Sequence, residues 1–107
     1  MAKFQLNPGE TMIGNGQMAL HQKQFLNTKA FSGNIYVTNQ RVCFYISMMG
    51  KPEIDLPLSQ IKGFSAGKKL LATAVTIHTQ AGEGHVLTGF PVKKLQDWLR
   101  QAGVQEI

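Results

Sequence analysis

The stretch that most constrains this chain is Gly33 to Tyr45, GNIYVTNQRVCFY, two apolar runs rich in β-branched and aromatic residues around the polar quartet Thr38-Asn39-Gln40-Arg41. If Asn39 and Gln40 form a two-residue hairpin loop, Val37 faces Val42, Tyr36 faces Cys43 and Ile35 faces Phe44. Directly opposed residues share a face of the sheet. Ile35, Val37, Val42, Phe44 and Ile46 then form one apolar face, while Asn34, Tyr36, Thr38, Arg41, Cys43 and Tyr45 occupy the other. The quartet therefore reads first as a turn, and it becomes a site only if partners elsewhere in the chain meet it. On this register a carboxylate at Val37 should unfold the domain, and one at Thr38 should do far less.

Around this hairpin the chain reads as a run of short strands. Asn7-Pro8-Gly9-Glu10 is a turn signal, and Thr11 to Gln24 is a weakly alternating strand interrupted by Gly14 and Gly16. Gln24 to Ser32 reads as a loop, and Ser47 to Pro52 as a second connection marked by Gly50 and Pro52. Ile54 to Leu58 and Ile61 to Ser65 are short strands, with Pro57 pushing the first toward an edge. Gly67-Lys68-Lys69 reads as a connection, Leu71 to Thr79 as a strand, Gln80 to Gly84 as a loop and His85 to Phe90 as the last strand. Then the period changes. Val92, Leu95, Trp98, Leu99 and Ala102 fall on one face of a helix, with Pro91 at its start and Gly103 just past its end.

Seven short strands and one terminal helix predict a mainly β domain: a barrel of antiparallel strands in two sheets, with the helix covering an open edge or end. The 107 residues suffice for a single domain, 1–107, with one core. The sole cysteine, Cys43, allows no internal disulfide, which fits a reducing compartment. The amino-terminal residues lack a signal-peptide apolar run and no stretch has the length of a membrane span, so the expected location is the cytoplasm. The net charge of +5 suits contact with anionic lipid, nucleic acid or an acidic protein without choosing among them.

Catalytic and metal chemistry find little support in the sequence. Gly63-Phe64-Ser65-Ala66-Gly67-Lys68-Lys69 departs from a phosphate loop in its glycine spacing and in the residue after the lysine. His21, His78 and His85 show no metal spacing with one another or with Cys43, although His78 and His85 flank one hairpin and could face each other. The carboxylates are scattered, and no pair is placed by sequence. Tyr36, Tyr45, Phe44 and Arg41 could form a stacking platform for single-stranded nucleic acid, except that Phe44 falls on the core face. No catalytic residue, metal ligand or cofactor is assigned.

The blocks NPGE, GNIYVTNQRVCFY, IDLPLSQIKGF and VTIHTQAGEGHVLTGF, followed by a helix, resemble in order and wording the GRAM branch of the pleckstrin-homology (PH) superfamily, including its compact bacterial type. The resemblance implies a non-catalytic module that binds an anionic membrane surface, a lipid headgroup or a protein partner, cytoplasmic and peripheral at the inner membrane face. In a meander of antiparallel strands the connections after strands one and three lie at the same end. That end would gather Lys23, Lys29 and Lys51 beside Met48 and Met49, the candidate ligand or membrane-binding residues. Lys23 can fill the first place of the phosphoinositide pattern of PH domains, but Ser32 to Tyr36 offer no basic pair to complete it. Self-association is expected as a source of avidity, and nucleic acid, the alternative ligand for a small basic barrel, is the less favoured partner.

Overall fold

In a computed structural model of the chain, residues 4–24, 27–46, 52–69 and 72–107 are described. Seven strands are followed by one helix: β1 (Met12–Gln24), β2 (Asn27–Thr38), β3 (Arg41–Ile46), β4 (Ile54–Pro57), β5 (Ile61–Lys69), β6 (Ala72–Thr79), β7 (Gly84–Thr88) and α1 (Val92–Gln101). A single 3-10 turn, Leu58–Gln60, joins β4 to β5. The strands form one sheet in the order β4-β3-β2-β1-β7-β6-β5, and every ladder between them is antiparallel. The sequence favoured two sheets closed into a barrel. Instead β1 is long enough to pair β2 over its whole length and also β7 through Ala19–His21, which makes the sheet continuous. Among the described residues no ladder joins β4 to β5, so the hydrogen-bonded sheet stays open there.

The hairpin register is as the alternation requires: Val37 pairs with Val42, Tyr36 with Cys43 and Ile35 with Phe44. One expected loop is strand. Residues from Asn27 onward continue the β1–β2 ladder, with Phe31 opposite Leu20 and Lys29 opposite Gln22. Composition hid this, because Asn27, Thr28 and Lys29 are all polar and no alternation of apolar residues marks them as strand. Gly67 to Lys69 likewise belong to β5, where Lys69 pairs with Ala72.

The core lies on the face bearing Leu20, Ile35, Val37, Phe44, Phe64, Val75, Ile77 and Leu87, all fully buried. Helix α1 seats Leu95 and Leu99 against it, packing over β1 and β6. Trp98 lies across the start of β1, so close that a Cβ at Gly14 would overlap the indole. Glycine there is the condition for the helix to sit down. Just past the carboxyl end of the helix Gly103, at φ 93°, closes a paired cap: Val104 N–H donates to Leu99 O (2.9 Å) and Gly103 N–H to Arg100 O (3.0 Å). The chain then runs alongside the outer edge of β5, where Phe64 and Glu106 make a parallel bridge. The carboxyl-terminal residues, not the helix, therefore cover part of that edge.

Candidate functional site

Partners do meet the Thr38-Asn39-Gln40-Arg41 quartet, and they come from the NPGE turn. Asn39 N–H donates to Thr11 O (3.1 Å), while its side-chain oxygen accepts from Thr11 N–H (2.8 Å). Gln40 Nε2 donates to Pro8 O at 3.4 Å. At the centre is Glu10, whose side chain is 0% exposed. Its carboxylate accepts from Arg41 Nε (2.8 Å) and Nη2 (3.1 Å), from Thr38 Oγ1 (2.6 Å) and from Asn7 N–H (2.8 Å). Thr38 Oγ1 in turn accepts from the N–H groups of Gln40 (3.1 Å) and Arg41 (3.0 Å).

Thr38 is therefore buried, contrary to its assignment to the exposed face. Strand alternation ends at the turn, and the first turn residue is covered by the amino-terminal segment. The Arg41 fork holds the Glu10 carboxyl down to about 2 against the opposing cost of burial, and the Thr38 and Asn7 bonds add to it. Arg41 is pushed further up by the same bond. It also donates from Nη2 to Gln5 O (2.7 Å), lies 4.8 Å from the Phe4 ring centroid, and has Asp55 at 3.6 Å. Every donor and acceptor named is engaged within the chain. The arrangement clasps the amino-terminal segment onto the β2–β3 turn and offers no reacting group.

The same clasp decides the fate of the stacking platform. Phe4 stacks on Tyr36 with centroids 4.3 Å apart and planes at 4°, and Tyr45 meets both rings edge-on. The face of Tyr36 is already occupied from within. Cys43 is buried beside this cluster; burial, and then its bond to Asp55 (3.3 Å), push the thiol up to about 12, which describes an inert packed thiol.

The histidines do not face each other. His78 pairs with Gly84 and His85 with Ile77, so they lie on opposite faces. His78 Nε2 is 2.8 Å from Ser65 Oγ, His21 Nε2 is 2.8 Å from Thr88 Oγ1, and burial lowers His85. No acidic group completes the Ser65–His78 pair into a relay among the bonds described. Among the described residues no group of three His, Cys, Asp or Glu could hold a metal ion.

Of the candidate binding residues, Lys29 is exposed and stands opposite Gln22. Lys23 pairs through its backbone with Thr28, its side chain lying outside the described residues. Met48, Met49 and Lys51 also lie outside the described residues. Gln22 Nε2 donates to Glu53 Oε1 at 2.6 Å, which ties the distal part of the β1–β2 ladder to the residue just before β4. Sequence reasoning missed the buried Glu10–Arg41 pair. The signal was present, since an acidic residue closing a Pro-Gly turn and an arginine closing a hairpin turn are both placed to cap, but nothing local says that one caps the other.

Among solved structures, the chain is similar to the C-terminal domain of an unknown protein from Leishmania infantum, at 16% identity and a TM-score of 0.71, covering 89% of this chain and 85% of that one. It is also similar to the PH domain of human oxysterol binding protein-related protein 11, at 16% identity and a TM-score of 0.58, covering 83% of this chain and 75% of that one. Both likenesses speak to the fold. No curated protein matches it as a relative. The profile of the GRAM domain matches residues 1–90, which carry all seven strands, the NPGE turn and the clasped hairpin. With most of its length under that profile and a PH domain among its structural neighbours, the chain belongs to the GRAM family.

Proposed function

We propose that this domain is a non-catalytic module that docks on an anionic membrane surface through the distal end of the β1–β2 ladder. GRAM and PH-like domains are typically modules that bind lipid or protein, and they are generally non-catalytic. The observation that carries the reading is the Gln22–Glu53 bond, because it draws the β1–β2 end against the residues that enter β4, with Lys29 exposed beside it. In the sequence Lys23 follows Gln22, and Met48, Met49 and Lys51 precede Glu53 by a few residues. Cations attract an anionic leaflet, at about 1 kcal/mol each near the surface, and apolar side chains among them supply insertion. The net charge of +5 acts in the same direction. Among the described residues no helix is long and apolar enough to cross a membrane, so contact through this end would be peripheral, at the inner face of the cytoplasmic membrane.

The test is flotation with phosphatidylcholine vesicles with and without phosphatidylserine, across a salt series. Changing Lys23, Lys29 and Lys51 together to Glu should abolish binding to the anionic vesicles and leave the melting temperature nearly unchanged. Met48→Ser with Met49→Ser should weaken binding while changing its salt dependence less. A wild-type domain that ignores anionic vesicles at low salt would end this reading and turn attention to a protein partner.

A further inference from the structure

The outward face of the sheet differs in chemistry from the rest of the surface. Register aligns Ser32, Ala19, Thr88, Ala74 and Gly67 in one row across β2, β1, β7, β6 and β5. The next row is Ala30, His21, Val86, Thr76 and Ser65. Apart from Ala74, which is buried, these residues are exposed or half-buried, and neither row contains an Asp, Glu, Lys or Arg. Their polar side chains are largely paired within the face, His21 with Thr88 and His78 with Ser65, both at 2.8 Å. Covering the face would orphan few hydrogen-bonding groups, which keeps its desolvation cheap.

Beside these rows a knob and a hole adjoin. Phe90, in the turn between β7 and α1, is fully exposed at 106%. It borders a groove of about 430 Å³ lined by Gln17, Met18, Ala19, Ser32 and Thr88. A cavity of roughly 150 Å³ already accommodates benzene, so the groove has room for a phenyl ring. Phe90 does not fill the groove it borders.

We propose that this face is the contact between two copies of the chain, related by a two-fold axis, with Phe90 of each seated in the groove of the other. Two arguments select a second copy. Knob and groove sit side by side on one patch, so a two-fold operation satisfies both at once. Two identical chains of net charge +5 repel wherever their lysines meet, and these uncharged rows let them approach without opposing like charges, whereas an acidic partner would choose the lysines. Charge depletion at the centre and charge at the margin, here Lys68, is the usual anatomy of such a contact. Five strands at about 4.8 Å spacing, two outward rows and the exchanged rings give on the order of 1,000 Å² for the pair, the low end for specific association. A dimer of this size is expected to be weak and to form only as concentration rises.

Sedimentation equilibrium from about 1 to about 200 μM tests this, with Phe90→Ser and Ala19→Lys beside the wild type and thermal melting to verify folding. The expected result is a concentration-dependent dimer for the wild type, with each variant weakening it at least about tenfold, since one loses the central anchor and the other opposes two new charges across the axis. A wild type that stays monomeric at the highest concentration overturns the proposal. So does a dimer unchanged by both variants, which would place the contact elsewhere, for instance on the β5 edge. Vesicle binding is read separately on the lysine variants, so failure of either idea leaves the other standing.

Discussion

Removing either partner of the Glu10–Arg41 pair should cost much of the stability of a domain this size, and the cost should fade in acid. Glu10 accepts four hydrogen bonds with no exposed side-chain surface, so Glu10→Ala removes one acceptor from Arg41, Thr38 and Asn7 together and leaves Arg41 only Gln5 O and the more distant Asp55. Breaking one side of a buried pair costs about 3–5 kcal/mol when the survivor stays dry. Linkage gives an independent figure. A carboxyl lowered from 4.5 to about 2 corresponds to a ceiling of about 3.4 kcal/mol at neutral pH, which screening at the rim of the domain reduces to about 2 kcal/mol. The folded form holds the lower value, so this stability is complete above 4.5 and is lost as pH falls through about 2. Urea denaturation of wild type, Glu10→Ala, Arg41→Met and the double variant, at neutral pH and at steps below 4.5, reads both quantities. The singles should each lose about 2–4 kcal/mol, and the double should lose much less than their sum, because each single already removes the shared interaction. Additive losses, or a wild-type advantage over Arg41→Met that is the same at neutral pH and near 2, would refute the reasoning.

Three further outcomes follow from the packing. Val37→Asp and Thr38→Asp should both unfold the domain in a thermal melt, since both residues are fully buried and a carboxylate at Thr38 would face Glu10; Thr38→Val should lose only about 1–3 kcal/mol of hydrogen bonding. Gly14→Ala should lift Trp98 off β1, with a red-shifted native emission and a lower melting temperature, and an unchanged spectrum would mean that the indole lies elsewhere. Cys43, pushed from 9.0 to about 12, should react with a thiol reagent at mildly alkaline pH roughly a thousandfold more slowly in the native protein than in urea. Its protonation also implies that stability declines as pH rises above 9, where only the unfolded chain gives up the proton.

What could be read from the sequence was what repeats locally. The hairpin at Val37 and Val42, the apolar stripe of Leu95 and Leu99 and the stop at Gly103 each follow from period or from one residue's backbone preference, and each stands in the structure. Strand limits were read less well where no apolar residue marks a period, as at Asn27 to Lys29 and at Gly67 to Lys69. The continuous sheet was hidden because it depends on how far one long strand reaches past its first partner, a tertiary quantity. Thr38 was misplaced for a similar reason: its cover comes from Glu10, 28 residues away in the chain, and alternation cannot foresee that. Phe90 read as the last strand residue, yet it stands free in a turn, so the knob on the outer face became visible only with the structure.

The residues of the clasp and the residues proposed to meet a membrane are different sets. In the block from Gly33 to Phe44, Thr38 and Arg41 hold Glu10, Asn39 holds Thr11, and Ile35, Val37, Val42 and Phe44 fill the core. The first three are committed to closing the amino-terminal segment over the β2–β3 turn, and the other four to the core. Among the bonds described, none joins the clasp to Lys29 or to the Gln22–Glu53 junction at the far end of the β1–β2 ladder. Exchanging Lys29 should leave the clasp and its acid dependence as they are, just as Arg41→Met should lower stability without changing the charge at the β1–β2 end.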